Sequence, residues 1–249
     1  MLPQASPNKP SGRRALKIEA DNRHYELVLE AAQGVTEIFR TRGISCAVFG
    51  SLASRLYGIT RTPKDVDLLV SQDLNSPSTL SAQDLKDLVL DASPRNFYLK
   101  LPRDPTASYR VLWYRREYLG AECKVDILIP GIMHLPHLPR TRVALLEGIP
   151  VVPFALLLLQ KLQAWDDHCK SEESHKRAKS PQDAADVRKL MALRVQMGAL
   201  LRIGVWEDAV LFSEEFVELT RERVRSYARM FPDRAEQWRA LGFALSDPV

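Results

Sequence analysis

Residues 45–70 read SCAVFGSLASRLYGITRTPKDVDLLV, and they decide the fold. Ser45-Cys46-Ala47-Val48-Phe49 is a short apolar run of the length expected of a buried strand. Gly50-Ser51 closes it, Ser51 to Tyr57 starts a helix, and Gly58 stops that helix. Val66 to Val70 is a second strand. Side chains alternate along a strand, so Asp65 and Asp67 share one face while Val66 and Leu68 share the other. Aspartate is depleted in strands, and a pair of them in an apolar strand calls for a chemical reason.

Upstream, Leu27, Val28, Ala31, Val35, Ile38 and Phe39 recur at helical spacing over Tyr25 to Arg42, with Gly43 as the stop. Downstream, Ser81 to Leu90 predicts a helix, and Phe97 to Leu101 and Arg110 to Tyr114 predict strands. Lys124-Val125-Asp126-Ile127-Leu128-Ile129 is a strong strand pattern closed by Pro130-Gly131, with one acid among apolar neighbours. This alternation predicts an α/β (α+β) fold with a mixed sheet flanked by helices. From Pro153 the patterns are helical only: Phe154 to Cys169, Pro181 to Met197, Ser213 to Met230 and Arg234 to Phe243, with a polar loop from Cys169 to Ser180. The expected organisation is a flexible basic tail over 1–20, an α/β domain over 21–138 and a C-terminal helical domain over 139–249.

At 249 residues, 45% hydrophobic and 27% charged, the chain can bury a sizeable core. Its longest greasy run, Val151 to Leu159, contains Pro153 and stops at Gln160-Lys161, too short for a membrane helix. The formal charge of +4 sits in the tail. Lys9, Arg13, Arg14 and Lys17 precede any acid and account for the whole excess of 35 Lys and Arg over 31 Asp and Glu. Such a segment reads as a solvated leader, with a phosphate-binding arm or an address signal as the alternatives. The body is therefore neutral and does not by itself favour RNA. Cys46, Cys123 and Cys169 are an odd number without a CxxC pair, which suits neither a disulfide framework nor a zinc site. Their usage is that of a reducing compartment, so an intracellular location, cytoplasmic or nuclear, is expected. His134 and His137 lie in a Pro-rich stretch and read as loop residues.

Carboxylates two residues apart on a strand stand about 6.6 Å apart along the backbone and can lean onto one or two divalent ions. A two-ion site that activates a hydroxyl and stabilises a leaving phosphate oxygen commonly needs a third acid, and Asp126 is the candidate. Strand-end acids that merely solubilise are the plainer reading, but clustered like charges repel at a cost that a cation removes. Gly50-Ser51 opens a helix where backbone N–H groups could meet a phosphate, although a tight turn would use the same residues. Arg55 and Arg61 lie between the glycine turn and Asp65 and could also reach an anion. On the helix from Phe154, Lys161 shares an apolar face with Phe154, Leu158 and Trp165, where an ammonium must snorkel or meet an anion. Ser180-Pro181-Gln182-Asp183 reads either as a helix start or as a functional acid. Trp113-Tyr114-Arg115-Arg116 is a patch that could stack on a base, but a strand end that crosses from core to surface gives the same composition and is the plainer reading.

Phe49-Gly50-Ser51, Asp65-Val66-Asp67-Leu68 and Val125-Asp126-Ile127 together resemble the signature of the DNA polymerase β-like nucleotidyltransferase superfamily. Within it the chain most resembles the minimal or AbiEii-toxin-like nucleotidyltransferases, over roughly residues 24–130. Lys161 and the stretch Lys179-Ser180-Pro181-Gln182-Asp183-Ala184-Ala185-Asp186 resemble that branch's helical segments. The basic loop departs from its compact Arg-Lys-Asp run, which bears on Asp183 more than on Asp65 or Asp67.

The resemblance implies a catalytic domain over 21–138 and transfer of a nucleoside monophosphate from a nucleoside triphosphate to a hydroxyl, with magnesium (or manganese) as cofactor. Asp65, Asp67 and Asp126 would be catalytic and metal-binding, and Gly50, Ser51, Arg55, Lys161 and Asp183 nucleotide-binding. An RNA end, a protein or a small molecule could be the acceptor, and no membrane partner is expected. A non-catalytic nucleotide-binding or interaction module of the same fold is the rival, and a nuclease or phosphodiesterase using the same acids is a third reading.

Overall fold

The computed structural model describes residues 12–72, 79–102, 109–206 and 211–245. Its N-terminal half runs α1 (Gly12–Thr41), β1 (Ser45–Phe49), α2 (Gly50–Leu56), β2 (Asp65–Ser71), α3 (Ala82–Ala92), β3 (Phe97–Lys100), β4 (Val111–Arg115) and β5 (Glu122–Leu128). A hairpin follows, β6 (Ala144–Leu146) and β7 (Ile149–Val151), and then α4 (Phe154–Lys170), α5 (Ser174–Arg177), α6 (Ser180–Met191), α7 (Arg194–Ile203), α8 (Glu214–Met230) and α9 (Ala235–Ala240). Seven strands form one mixed sheet in the order β3-β4-β5-β2-β1-β7-β6. The α/β reading with a mixed sheet flanked by helices is the observed fold.

The sheet is held by the alternation that its sequence shows. Val66, Leu68, Cys123, Val125 and Leu112 are buried on one face, under α1 and α3. On that face Gly34 of α1 lies against Phe97, where even a methyl group would come within 3.4 Å of the ring. Burial pushes the Cys46 and Cys123 thiols up to about 12, as suits small buried hydrophobes. Ser81 caps α3 by accepting from the Asp84 amide, while the Asp84 carboxylate accepts from the Ser81 amide.

Several elements differ from the sequence expectation. Helix α1 begins at Gly12 rather than Tyr25, so residues 12–20, read as part of a flexible tail, form its exposed first turns. Residues 1–11 of that tail lie outside the described residues. The stretch 139–152, where the composition changes, carries the β6–β7 hairpin, and β7 pairs parallel with β1. The helix expected over Pro181 to Met197 is two, because Leu193 takes an extended backbone with ψ 95° between α6 and α7. The loop expected over 169–180 contains the short helix α5.

The helical half is packed so as to place α4 beside the sheet. Tyr57, at the end of α2, donates its hydroxyl to the Val152 carbonyl at 2.9 Å and meets the Phe154 ring edge-on at 5.2 Å. Trp165 of α4 meets Tyr227 of α8 at 4.8 Å, and Tyr227 donates to the Ala184 carbonyl of α6 at 2.9 Å. These contacts fix α4 and α6 against each other and over the carboxyl-bearing strands. No helix among the described residues is long and apolar enough to cross a membrane.

Candidate active site

The turn from β1 into α2 and the strands β2 and β5 converge on three carboxylates. β2 and β5 run parallel with Asp67 opposite Asp126 and Asp65 opposite Lys124, so all four side chains emerge on one face. One oxygen of each of Asp65, Asp67 and Asp126 lies within 4.8 Å of the others, and among the described residues this is the one such cluster of potential metal ligands. All three are half-buried. Burial and then the charges of Asp65 and Asp126 push the Asp67 carboxyl up to about 7, with Lys161 and Lys124 pulling the other way.

Phe49 pairs with Asp67 across β1 and β2, which brings the glycine turn over the same carboxylate. Gly50 sits at φ +66°, and a Cβ built there would stand 1.9 Å from Asp67 Oδ2. Only glycine fits, both for its backbone and for the space the carboxylate occupies. Ser51 Oγ donates to Asp65 Oδ1 at 3.4 Å.

Lys124 Nζ donates to Asp126 Oδ2 at 2.5 Å. Burial lowers the Lys124 pKa, but the hydrogen bond and charge of Asp126, with Asp65 and Asp67, outweigh that and raise it overall. Across the cleft, α4 and α6 contribute an ion network. Asp186 has no exposed surface and accepts from Arg61 at 2.7 Å, Lys161 at 3.2 Å and Gln182 at 3.0 Å. His168 Nδ1 lies 2.6 Å from Asp183 Oδ2. A cleft of about 1060 Å³ joins these groups, with Gly50, Asp67, Asp126, Lys161, His168 and Asp183 in its walls.

The structure thus brings together Gly50, Ser51, Asp65, Asp67, Asp126, Lys161 and Asp183. It does not bring Arg55, whose guanidinium lies over the Tyr25 ring at 4.8 Å, away from the cleft walls. Arg61 lines the cleft instead. Lys161 does not snorkel: it is 8% exposed and the anion it meets within the chain is Asp186. Ser180 does begin a helix, with Pro181 and Asp183 in the first turn of α6, but Lys179 rather than Ser180 occupies the cap position, without a side-chain bond, and the Asp183 carboxylate holds His168. Lys124 and His168 went unremarked in the sequence. Lys124 is marked by its i, i+2 spacing from Asp126 on a strand, whereas no local pattern marks His168, whose partner lies fifteen residues on across a loop.

The three acids fit a divalent cation. They offer hard oxygen donors, their mutual repulsion is relieved by positive charge, and their half-exposure leaves a path for an ion.

No family model matches the chain, and no curated protein matches it in sequence. Among solved structures it is similar to an antigenic nucleotidyltransferase-like protein from Paracoccidioides brasiliensis, with a TM-score of 0.58 and 13% identity, covering 89% of this chain and 95% of that one. A looser likeness, with a TM-score of 0.37 and 12% identity over 72% of this chain and 96% of the other, is to the antibiotic-resistance factor ANT(2'')-Ia. Only the first is close enough to bear on the fold, which is that of nucleotidyltransferase-like proteins.

Proposed function

We propose that this chain is a magnesium-dependent nucleotidyltransferase that moves a nucleoside monophosphate from a nucleoside triphosphate to a hydroxyl acceptor, releasing pyrophosphate. The supporting observation is the convergence of Asp65, Asp67 and Asp126 beside the Gly50-Ser51 turn, within a nucleotidyltransferase-like fold. The narrower likeness to the minimal or AbiEii-toxin-like branch rests on the sequence strings alone.

Asp65, Asp67 and Asp126 would hold magnesium, or manganese, which supplies charge neutralisation and a more acidic hydroxyl. The amides of Gly50 and Ser51 bind the β- and γ-phosphates, at a turn where the absence of a Cβ lets the backbone approach Asp67. Asp126, tied to Lys124, is oriented to accept the proton of the attacking hydroxyl. Lys161 is held by Asp186 with its ammonium at the cleft wall, where it offsets the charge of departing pyrophosphate. Asp183 acts through His168, which it orients toward the same phosphates. The work of these residues is positioning and electrostatics.

The test is thermal unfolding with each of the four ribonucleoside triphosphates, with and without magnesium, alongside release of pyrophosphate. At least one nucleotide should raise the melting temperature only when magnesium is present. No magnesium-dependent rise with any of them would overturn the proposal. Binding without pyrophosphate release, with any acceptor supplied, would leave only the rival binding module.

A further inference from the structure

The face of the sheet that carries the three acids continues past them to the β3 edge. In register, Asp65 of β2 pairs with Lys124 of β5, Lys124 with Trp113 of β4, and Trp113 with Tyr98 of β3. These four residues form one row across four strands. At about 4.8 Å per strand, Trp113 stands about 10 Å and Tyr98 about 14 Å from the strand that bears Asp65 and Asp67. Both aromatics are half-exposed, because α1 and α3 pack on the opposite face against Phe97, Leu112 and Val125.

Cations are interleaved with these rings. Lys100 Nζ lies 4.4 Å from the Trp113 centroid, and the Arg115 guanidinium lies 4.3 Å from Tyr98 and 4.8 Å from Tyr118. Glu122 is the acid of the patch and accepts from Lys100 and from the Tyr98 hydroxyl. Arg115 forms no ion pair among the described residues, and its Nε is buried without a hydrogen-bond partner. Tyr118, at the tip between β4 and β5, is 77% exposed. Cross-strand charge complementarity accounts for Glu122 between Lys100 and Arg115, which stands opposite it in register, but not for an Arg115 Nε left without a hydrogen bond and half-exposed rings in a row that leads to the three acids.

From this arrangement we infer that the acceptor is the 3′ end of a single-stranded polynucleotide, laid along the Tyr98–Trp113–Lys124 row with its terminal hydroxyl at the carboxylates. Unpaired bases stack on Trp113 and Tyr98, and Arg115 and Lys100 meet the backbone phosphates. An open sheet face bearing aromatics and cations is a surface on which single strands bind by stacking. A duplex cannot use it, because its bases are already stacked on one another. The inference rests on the proposed transfer reaction for the role of the 3′ end, and the binding face itself does not depend on it.

The test is fluorescence anisotropy with labelled single-stranded RNA and DNA of about ten nucleotides, and with the matching duplex, on the full chain. Single strands should bind and the duplex should bind more weakly. Two phosphate contacts, at Arg115 and Lys100, give a slope of about −1.4 for log affinity against log salt. Trp113→Ala and Tyr98→Ala should each weaken binding about tenfold, while Trp113→Phe retains most of it and nucleotide-induced stabilisation is unchanged in all three. No binding of either single strand, or alanine variants that fold and bind like wild type, would overturn the inference. Label transferred to a protein or small molecule by a chain that binds no oligonucleotide would overturn it while leaving the transferase reading intact. Oligonucleotide binding that needs Trp113, in a chain that transfers no label, would do the reverse.

Discussion

Gly50→Ala puts a methyl group where the Asp67 carboxylate already stands, and the cost divides into two separable parts. The backbone at φ +66° costs an L-residue about 1–2 kcal/mol. The built Cβ lies 1.9 Å from Asp67 Oδ2 and 2.8 Å from its Cγ, so one side must move, and overpacking of this kind costs about 1–3 kcal/mol. Together Gly50→Ala should destabilise by about 2–5 kcal/mol. In an Asp67→Ala background the Cγ and Oδ2 are gone and only the Asp67 Cβ position, 3.1 Å away, remains to be met. There the same substitution should cost little beyond the backbone share. Urea unfolding of the four proteins, with a chelator present, gives the cycle. A coupling of about 1–3 kcal/mol is expected. Additive costs within about 0.5 kcal/mol would refute the close approach of the turn to the carboxylate.

Asp67 has its folded pKa raised from 3.8 to about 7, so ionising it in the fold carries a penalty absent below about pH 4 and complete above about pH 7. Wild type in chelator should therefore lose stability as pH rises through that window, by at most about 4 kcal/mol. Asp67 titrates in the field of two neighbouring carboxylates, which makes that figure an upper bound. Asp67→Asn should flatten the fall and magnesium should reverse it in wild type, whereas parallel pH profiles for the two proteins would contradict the clustering. Asp186→Ala leaves Lys161 and Arg61 without their buried carboxylate and should cost about 3–5 kcal/mol in denaturant unfolding; a loss under 1 kcal/mol would mean that water already screens the network. Tyr57→Phe removes the donor to the Val152 carbonyl and should cost about 0.5–1.5 kcal/mol, checked by the same method.

The residues nearest one another in sequence were the most legible. β1, α2 and β2 follow from an apolar run, a glycine turn and strict alternation, and the same alternation sets Asp65 and Asp67 on one face. Asp126 was legible because an acid among strand-forming residues is rare enough to stand out. The hairpin β6–β7 was hidden for a physical reason: its strands have three residues each, and Pro150 inside β7 argues against a strand. Its remaining signal is Glu147-Gly148, both with positive φ, the chemistry of a two-residue turn. The early start of α1 was hidden because residues 12–20 have no buried face, so no apolar period marks them. The contacts of Lys161 and Asp183 were not legible, because only the packing of α4 on α6 decides which carboxylate meets which cation. The sequence reading assigns nucleotide binding to Arg55 rather than Arg61, and the stacking of Arg55 on the Tyr25 ring of α1 leaves Arg61 as the one of the two that lines the cleft.

The most direct test of the central claim is transfer of label from each α-labelled nucleoside triphosphate into RNA and protein fractions of a lysate, with magnesium, comparing wild type with Asp67→Asn. The account predicts label in one fraction with wild type and none with Asp67→Asn, while circular dichroism shows both proteins folded. Equal labelling by the two proteins would contradict it.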